Sequence, residues 1–316
     1  MAMNRSLTMF ASRIHRFGPP EVISFEEIER PQSGTGEVLV RVQAAGVGPW
    51  DAWVRAGKSA LPQPLPLTLG SDLAGVVETV GAGVDTFRAG DEVFGVTNAR
   101  FIGAYAEYAV ASAAMIAPKP KTLDYVEAAA LPVVAVTALQ MLVDHARIVA
   151  GRTVLVHGAG GSVGSCAVQI ARAARAHVVA TAFSKDVDYV RSLGASEVID
   201  VSETAFEKVV DRVDAVFDTI GGTVQSKSMA IISPGGILVS SVSQPDTTEA
   251  SRHGIRAVFF LVDVTTSRLD RVSAMIDAGD LHVRVGAVLP LSEARQAHEM
   301  LDGLRSRPAG KIVLRV

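Results

Sequence analysis

Cysteine is nearly absent: Cys166 is the single one in 316 residues. An internal disulfide and a zinc site built on several thiolates are therefore both excluded. Its place in a small-residue stretch reads as a buried small hydrophobe, and the scarcity of thiols suits a reducing, cytoplasmic setting. An excess of charge of one sign is also missing. Against 33 Asp and Glu stand 30 Lys and Arg, for a net charge of −3; with no long basic run, nucleic acid is not an expected partner. No apolar run reaches the ~20 residues a membrane-spanning helix needs. The most apolar stretch, residues 128–143, is bounded by Glu127 and Asp144, is broken by Pro132 and reads as a buried helix. The first residues mix charges early and lack a secretory core, so no membrane association is expected. Aromatic residues are sparse at 5%, and the seven histidines show no metal-like spacing. What is present in quantity, 28 glycines within a 48% apolar chain, suits an α/β enzyme with many tight turns and room for one large or two medium domains.

The richest local signal runs from Thr153 to Ala182. A β-branched run at residues 153–157 reads as a buried parallel strand. The turn Ala159-Gly160-Gly161-Ser162-Val163-Gly164 follows, then apolar residues at helical spacing (Val163, Ala167, Ile170, Ala171, Ala174), then a second strand at residues 177–182. The turn fits the dinucleotide pattern G-x-G-x-x-G in all but its first position, which is alanine. Small residues let the backbone approach a pyrophosphate, and the helix N-terminus offers it free N–H groups. An NAD-selective site carries an acidic residue about 20 positions into the motif, at the end of the second strand. This chain has Ala182-Phe183-Ser184-Lys185 there, a hydroxyl and an ammonium suited to a 2′-phosphate, so NADP(H) is the expected cofactor. Asp186 lies close by, and Lys185 also fits a solvated loop lysine.

Upstream, short runs at residues 37–44, 74–80, 92–96 and 106–111 alternate with glycine-rich turns, the texture of a β-rich, barrel-type domain. From about Val126, helices and strands alternate as in a doubly wound parallel sheet, with further strands at 214–218, 237–241 and 256–262. Helices are expected at 267–278 and 292–304, and a last strand at 311–316. The division expected is residues 1–125 with 258–316 as one domain and 126–257 as a Rossmann domain.

Several segments together resemble the medium-chain dehydrogenase/reductase superfamily, and within it the zinc-independent, zeta-crystallin-like quinone oxidoreductases. They are Gly46-Val47-Gly48-Pro49-Trp50-Asp51, Gly70-Ser71-Asp72-Leu73-Ala74-Gly75, Gly90-Asp91-Glu92-Val93, Tyr105-Ala106-Glu107-Tyr108, the turn at 159–164, Asp218-Thr219-Ile220-Gly221-Gly222 and Gly310-Lys311-Ile312-Val313-Leu314. The resemblance implies an α/β fold with a central Rossmann sheet and a GroES-like, barrel-like catalytic domain made by both chain ends. It implies an NADPH-dependent reductase of quinones or α,β-unsaturated carbonyls, homodimeric through Rossmann edge strands. An enoyl-thioester reductase and a non-catalytic NADPH-binding structural or sensor protein are the alternatives. Zinc-dependent relatives place a cysteine near Gly48 and a His-Glu pair where this chain has Ser71-Asp72, so zinc is not expected.

The same resemblance sets Gly48 to Arg55 at the nicotinamide end of the site, where relatives commonly have Asn at the position of Gly48 and often Tyr at that of Trp53. Asp51 is read either as a helix-start hydrogen-bonder or as an acid/base group, and it is named with Trp53 as a candidate catalytic residue. Gly48, Trp50 and Tyr105 are candidate substrate-pocket residues; core packing is the competing reading for the aromatics. Ala159, Gly160, Gly161, Ser162, Val163, Gly164, Ser184, Lys185, Thr219, Ser241 and Phe260 are the candidate cofactor residues, the last three lying near strand ends, where open α/β sheets bind ligands.

Overall fold

The computed structural model describes residues 7–316 and divides into two compact units. The first comprises residues up to Val133 together with 264–277 and 283–316; the second is 134–263 with 278–282. The first unit begins with β1 (Thr8–Ile14), β2 (Ile23–Glu29), β3 (Glu37–Val47), helix α1 (Pro49–Arg55), β4 (Leu67–Thr68) and β5 (Asp72–Val80). It continues through β6 (Glu92–Val96), β7 (Tyr108–Ser112), β8 (Ile116–Pro118) and α2 (Tyr125–Ala129). Helix α3 (Pro132–Leu139) carries the chain into the second unit. That unit holds β9 (Thr153–Val156), α4 (Ser162–Ala173), β10 (His177–Ala182), α5 (Val187–Ser192), β11 (Glu197–Asp200), β12 (Val213–Asp218), α6 (Thr223–Met229), β13 (Ile232–Ser240), α7 (Thr247–Arg252) and β14 (Arg256–Phe259). The chain returns to the first unit with α8 (Thr266–Asp277), β15 (Val285–Pro290), α9 (Ala294–Leu301) and β16 (Lys311–Arg315).

In the first unit, eleven-residue β3 is the organiser. One edge pairs with β5 along most of its length, and the other is shared between β7 at its start and β16 at its end. The chain's last strand is thereby fixed beside one of its first. Strands β1, β2 and β4 form a separate small sheet. Val40, Val42, Leu69, Leu73, Tyr105, Ile116, Ile312 and Leu314 fill the core between them, each buried aliphatic side chain removing enough apolar area to contribute about 1.5–3 kcal/mol.

The second unit is a six-stranded sheet in the order β11-β10-β9-β12-β13-β14, parallel throughout. Its inner strands are largely apolar, with residues 154–156 and 178–180 fully or almost fully buried, because helices cover both faces of such a sheet. The order reverses at β9, and β9 leads directly into the glycine-rich turn. Strand β14 is an edge.

Three expectations are revised. Residues 128–143 are not one helix: α2 ends at Ala129, α3 restarts at Pro132, and the segment finishes in a π-helical turn at Gln140–His145. The helix expected over 292–304 is shorter, because the chain takes left-handed backbone at Gly303 (φ +74°) just after α9 ends. The boundary expected at 125/126 is displaced to 133/134, since α2 carries Val126, Ala128 and Ala129 into the interior of the first unit.

Candidate functional site

The glycine-rich turn sits at the C-terminal end of β9, where the sheet order reverses, the position at which open α/β sheets bind ligands. Gly161 caps α4, and Ser162 and Val163 form its first turn. A Cβ on Gly164 would lie 2.3 Å from the carbonyl oxygen of Gly158 and 2.8 Å from Cα of Ala159. The obstacle is backbone, so only glycine lets the helix come this close to the turn. A Cβ on Gly160 would collide with the Asp186 side chain at 2.8 Å; buried Asp186 is therefore packed against the turn, while Ser184 and Lys185, on the short helical turn after β10, are exposed. Ala159 is buried and donates its N–H to the Thr181 carbonyl (3.0 Å). This glycine-rich cradle facing a helix N-terminus fits a dinucleotide pyrophosphate.

Asp218 organises the neighbouring strand ends. Fully buried, it accepts hydrogen bonds at Oδ1 from the N–H groups of Ile220 (3.0 Å) and Gly221 (2.8 Å), and at Oδ2 from Gln225 (3.1 Å) and Ser240 Oγ (2.8 Å). Four donors satisfy one carboxylate and lock β12 to β13 where both end. Thr219 follows and donates to the His157 carbonyl (2.8 Å) at the start of the glycine turn. Ser241 donates its N–H to the Asp218 carbonyl (3.2 Å), and Phe260, just past β14, packs on His145 with ring centroids 4.5 Å apart and the ring planes tilted by 40°. Thr219, Ser241 and the turn thus share one end of the sheet. Ser184 hydrogen-bonds the Asp200 carboxylate at the end of β11 and holds that carboxyl below its usual range.

In the first unit, α1 divides its residues between two faces. Asp51 is fully buried, and its Oδ2 accepts from the Gly48 N–H (2.8 Å) and from the Tyr105 hydroxyl (3.0 Å). Burial, opposed by the Gly48 hydrogen bond, pushes the Asp51 carboxyl up to about 7, and the nearby Asp72 adds to the rise. Asp72 is also fully buried, is raised by burial to about 6, and is paired with the Lys311 ammonium at 3.3 Å. Lys311 Nζ also lies 4.2 Å from the centre of the Trp50 ring, and Trp50 Nε1 donates to Ser71 Oγ (3.0 Å). Tyr105 is fully buried with its hydroxyl committed to Asp51, and burial raises its pKa well above 10. Behind it, Arg55 donates to His298 Nδ1 (2.9 Å) and Asp302 (2.7 Å). An acceptor Nδ1 means a neutral ring, in keeping with burial and Arg55 lowering His298 to about 3. Trp53, two residues beyond Asp51 and so on the opposite face of the helix, is 51% exposed.

Of the residues expected here, Gly48, Trp50, Asp51 and Tyr105 form one buried cluster, and Trp53 stands outside it. Asp72, Ser71, Lys311, Arg55 and His298 belong to that cluster without having been assigned chemistry from sequence; the only signal was that Ser71-Asp72 and Gly310-Lys311 lie in segments that carry the family resemblance. Gly48 is explained by its neighbour. A Cβ there would lie 2.3 Å from Cη2 of Trp50, so the indole occupies the space a larger side chain would need. Among the described residues, no three His, Cys, Asp or Glu side chains gather in a way that could hold a metal ion, and no helix is long and apolar enough to cross a membrane.

Residues 34–121 match the alcohol dehydrogenase GroES-like domain family, and residues 193–314 match the zinc-binding dehydrogenase family. The quinone oxidoreductase of Sus scrofa is 34% identical over 333 positions, covering 99% of this chain and 99% of that protein. The chloroplastic NADPH-dependent alkenal/one oxidoreductase of Arabidopsis thaliana is 33% identical, over 94% of this chain and 77% of its own length. The solved quinone oxidoreductase from Coxiella burnetii superposes with a TM-score of 0.90 at 31% identity, covering 98% of this chain and 99% of that one.

Two predictions follow from the cluster. Unfolded Asp51 releases its proton near pH 4 and folded Asp51 near pH 7; between them the native state binds the extra proton, so this group's contribution to stability falls as pH rises through that window. Asp51→Asn removes the dependence, and its stability relative to the parent, from urea unfolding at a series of pH values, rises between pH 4 and pH 8. Parallel curves would mean that Asp51 titrates normally. Gly48→Asn alone must displace the indole and costs about 1–3 kcal/mol, whereas in a Trp50→Ala background the same change costs less, a coupling of about 1 kcal/mol in a double-mutant cycle. Additive effects would show that Trp50 is not the obstacle.

Proposed function

We propose that this chain, which belongs to the quinone oxidoreductase family of the medium-chain dehydrogenase/reductases, uses NADPH to reduce quinones or α,β-unsaturated carbonyls. The observation that carries the reading is the glycine-rich cradle between Gly158 and Gly164 at the reversal point of the sheet. When bound there, NADPH supplies a hydride from nicotinamide C4, and the reduced acceptor anion takes one proton from water or a side chain.

The chain's own residues divide the remaining work. The backbone of residues 159–164 holds the pyrophosphate, with Ser162 and Val163 offering first-turn N–H groups. Lys185 meets the 2′-phosphate as a cation, and Ser184 joins it once released from Asp200. Thr219, Ser241 and Phe260, at the ends of β12, β13 and β14, position the nicotinamide half. Asp51, raised by burial to about 7, exchanges a proton near neutral pH inside the first unit, and its bond to Tyr105 ties the start of α1 to the segment that precedes β7. The half-buried indole of Trp50, lying against Gly48, is a planar apolar surface at the start of that helix suited to a flat acceptor.

The residues do not fit a catalytic zinc. Gly48 and Ser71 stand where zinc-dependent relatives supply cysteine and histidine, and the ammonium of Lys311 already sits beside Asp72, at 3.3 Å. Without a Lewis acid to stabilise an alkoxide, reduction of an already polarised acceptor is the reaction the site suits. We further assign the protein to the cytoplasm and to a homodimer formed by pairing of the two β14 edges, which would cover backbone groups left unpaired at that edge.

Cofactor choice tests the assignment. Lys185→Glu replaces attraction to the 2′-phosphate by repulsion, so the KM for NADPH rises about tenfold or more, as loss of a charge-assisted hydrogen bond implies, while that for NADH changes little. An unchanged NADPH-to-NADH ratio in steady-state kinetics would place the phosphate elsewhere.

A further inference from the structure

The outer face of α1 opens on a cavity of about 650 Å³, within the range of small-molecule sites. It lies entirely within the first unit, between α1 and the end of α9. Its floor is apolar: the half-exposed indole of Trp53, flanked by Ala52 and Ala56, faces Met300 and Leu301. Its rim is cationic, with Lys58, Arg305 and Arg307.

Not all of that charge is available. Arg55, which lines the base, is neutralised by Asp302 at 2.7 Å and further held by the Gly18 carbonyl at 3.1 Å. Arg305 is paired with Glu299, which Arg295 also engages. Neither Lys58 nor Arg307 has a carboxylate partner among the described residues, so the rim keeps two uncompensated positive charges above an aromatic floor. The Arg55 bonds to His298 and Asp302 tie α1 to α9, so both walls are set before any ligand arrives, which spares the ligand the cost of ordering them.

We propose that this cavity binds a small anionic ligand with a flat apolar body, an aryl or enoyl carboxylate or a close analogue. The apolar body stacks on Trp53 against Met300 and Leu301. The anionic group meets Lys58 and Arg307, whose ammonium and guanidinium both donate to an oxyanion. The cavity belongs to the first unit and the Gly158–Gly164 cradle to the second, and the proposal does not depend on which acceptor the protein reduces.

The test is isothermal titration calorimetry of the full-length protein with 4-biphenylcarboxylate, in saturating NADP⁺ so that the nucleotide site is filled. The control probe is 4-biphenylmethanol, which has the same body without the charge. One site is expected for the carboxylate, with the alcohol at least about tenfold weaker. Trp53→Ala weakens the carboxylate at least about tenfold. Lys58→Glu combined with Arg307→Glu brings the carboxylate down to the level of the alcohol. Equal affinity for the two probes, no binding of the carboxylate up to millimolar concentration, or carboxylate binding that survives both sets of substitutions would each overturn the proposal. All three substituted positions, Trp53, Lys58 and Arg307, are exposed, and a thermal melt of each variant establishes that it is folded before titration.

Discussion

The approach of α4 to the end of β9, so close that the carbonyl of Gly158 occupies the place of a side chain at position 164, is the constraint on which the second unit depends. It brings a helix N-terminus to the mouth of the sheet, beside a turn that is largely glycine. The adjacent strand ends are then held to the same place by Asp218, whose two carboxylate oxygens collect four donors from β13, α6 and the turn between β12 and α6. Thr219 bonds the turn directly through the His157 carbonyl. A cradle for a phosphate and a frame for what lies beyond it therefore come from backbone contacts and a single satisfied carboxylate.

The first unit uses a different device. Two carboxylates, a phenol and an ammonium are buried together, with Asp51 and Asp72 fully buried and Lys311 only 3% exposed. Such a cluster is costly to desolvate and contributes little net stability compared with an apolar replacement. What it does is specify geometry. Lys311 opens the final strand, Asp72 opens β5 and Asp51 lies in the first turn of α1, so the cluster joins three elements distant in sequence at one point. The elevated pKa values of both carboxyls are a consequence of that burial, and they put a titrating group near neutrality beside Trp50 and Gly48.

Much of the second unit was legible in the sequence because its signals are local. The strand at 177–182 is largely apolar and buried, and the glycine turn lies between it and β9. The first unit was less so. Strand β2, with Glu26, Glu27 and Glu29 on a seven-residue strand, shows little apolar pattern, and only its pairing with β1 makes it a strand. Asp51 was legible as a helix-start hydrogen-bonder, which it is through the Gly48 N–H. Its partnership with Tyr105 spans 54 residues and that of Arg55 with His298 spans 243; no pattern within a window of sequence encodes either. Gly48 illustrates the same limit: the absence of a side chain there has meaning only once the Trp50 indole is seen to fill its place.

The central claim is that the cradle of the second unit delivers reducing equivalents from NADPH to an activated acceptor. It is tested most directly by following loss of nicotinamide absorbance when the purified protein meets NADPH or, separately, NADH, with a panel of quinones and one simple enone. The account predicts turnover on these acceptors that is faster with NADPH than with NADH. Bound NADPH, established by titration, that is not consumed with any acceptor of the panel would contradict it.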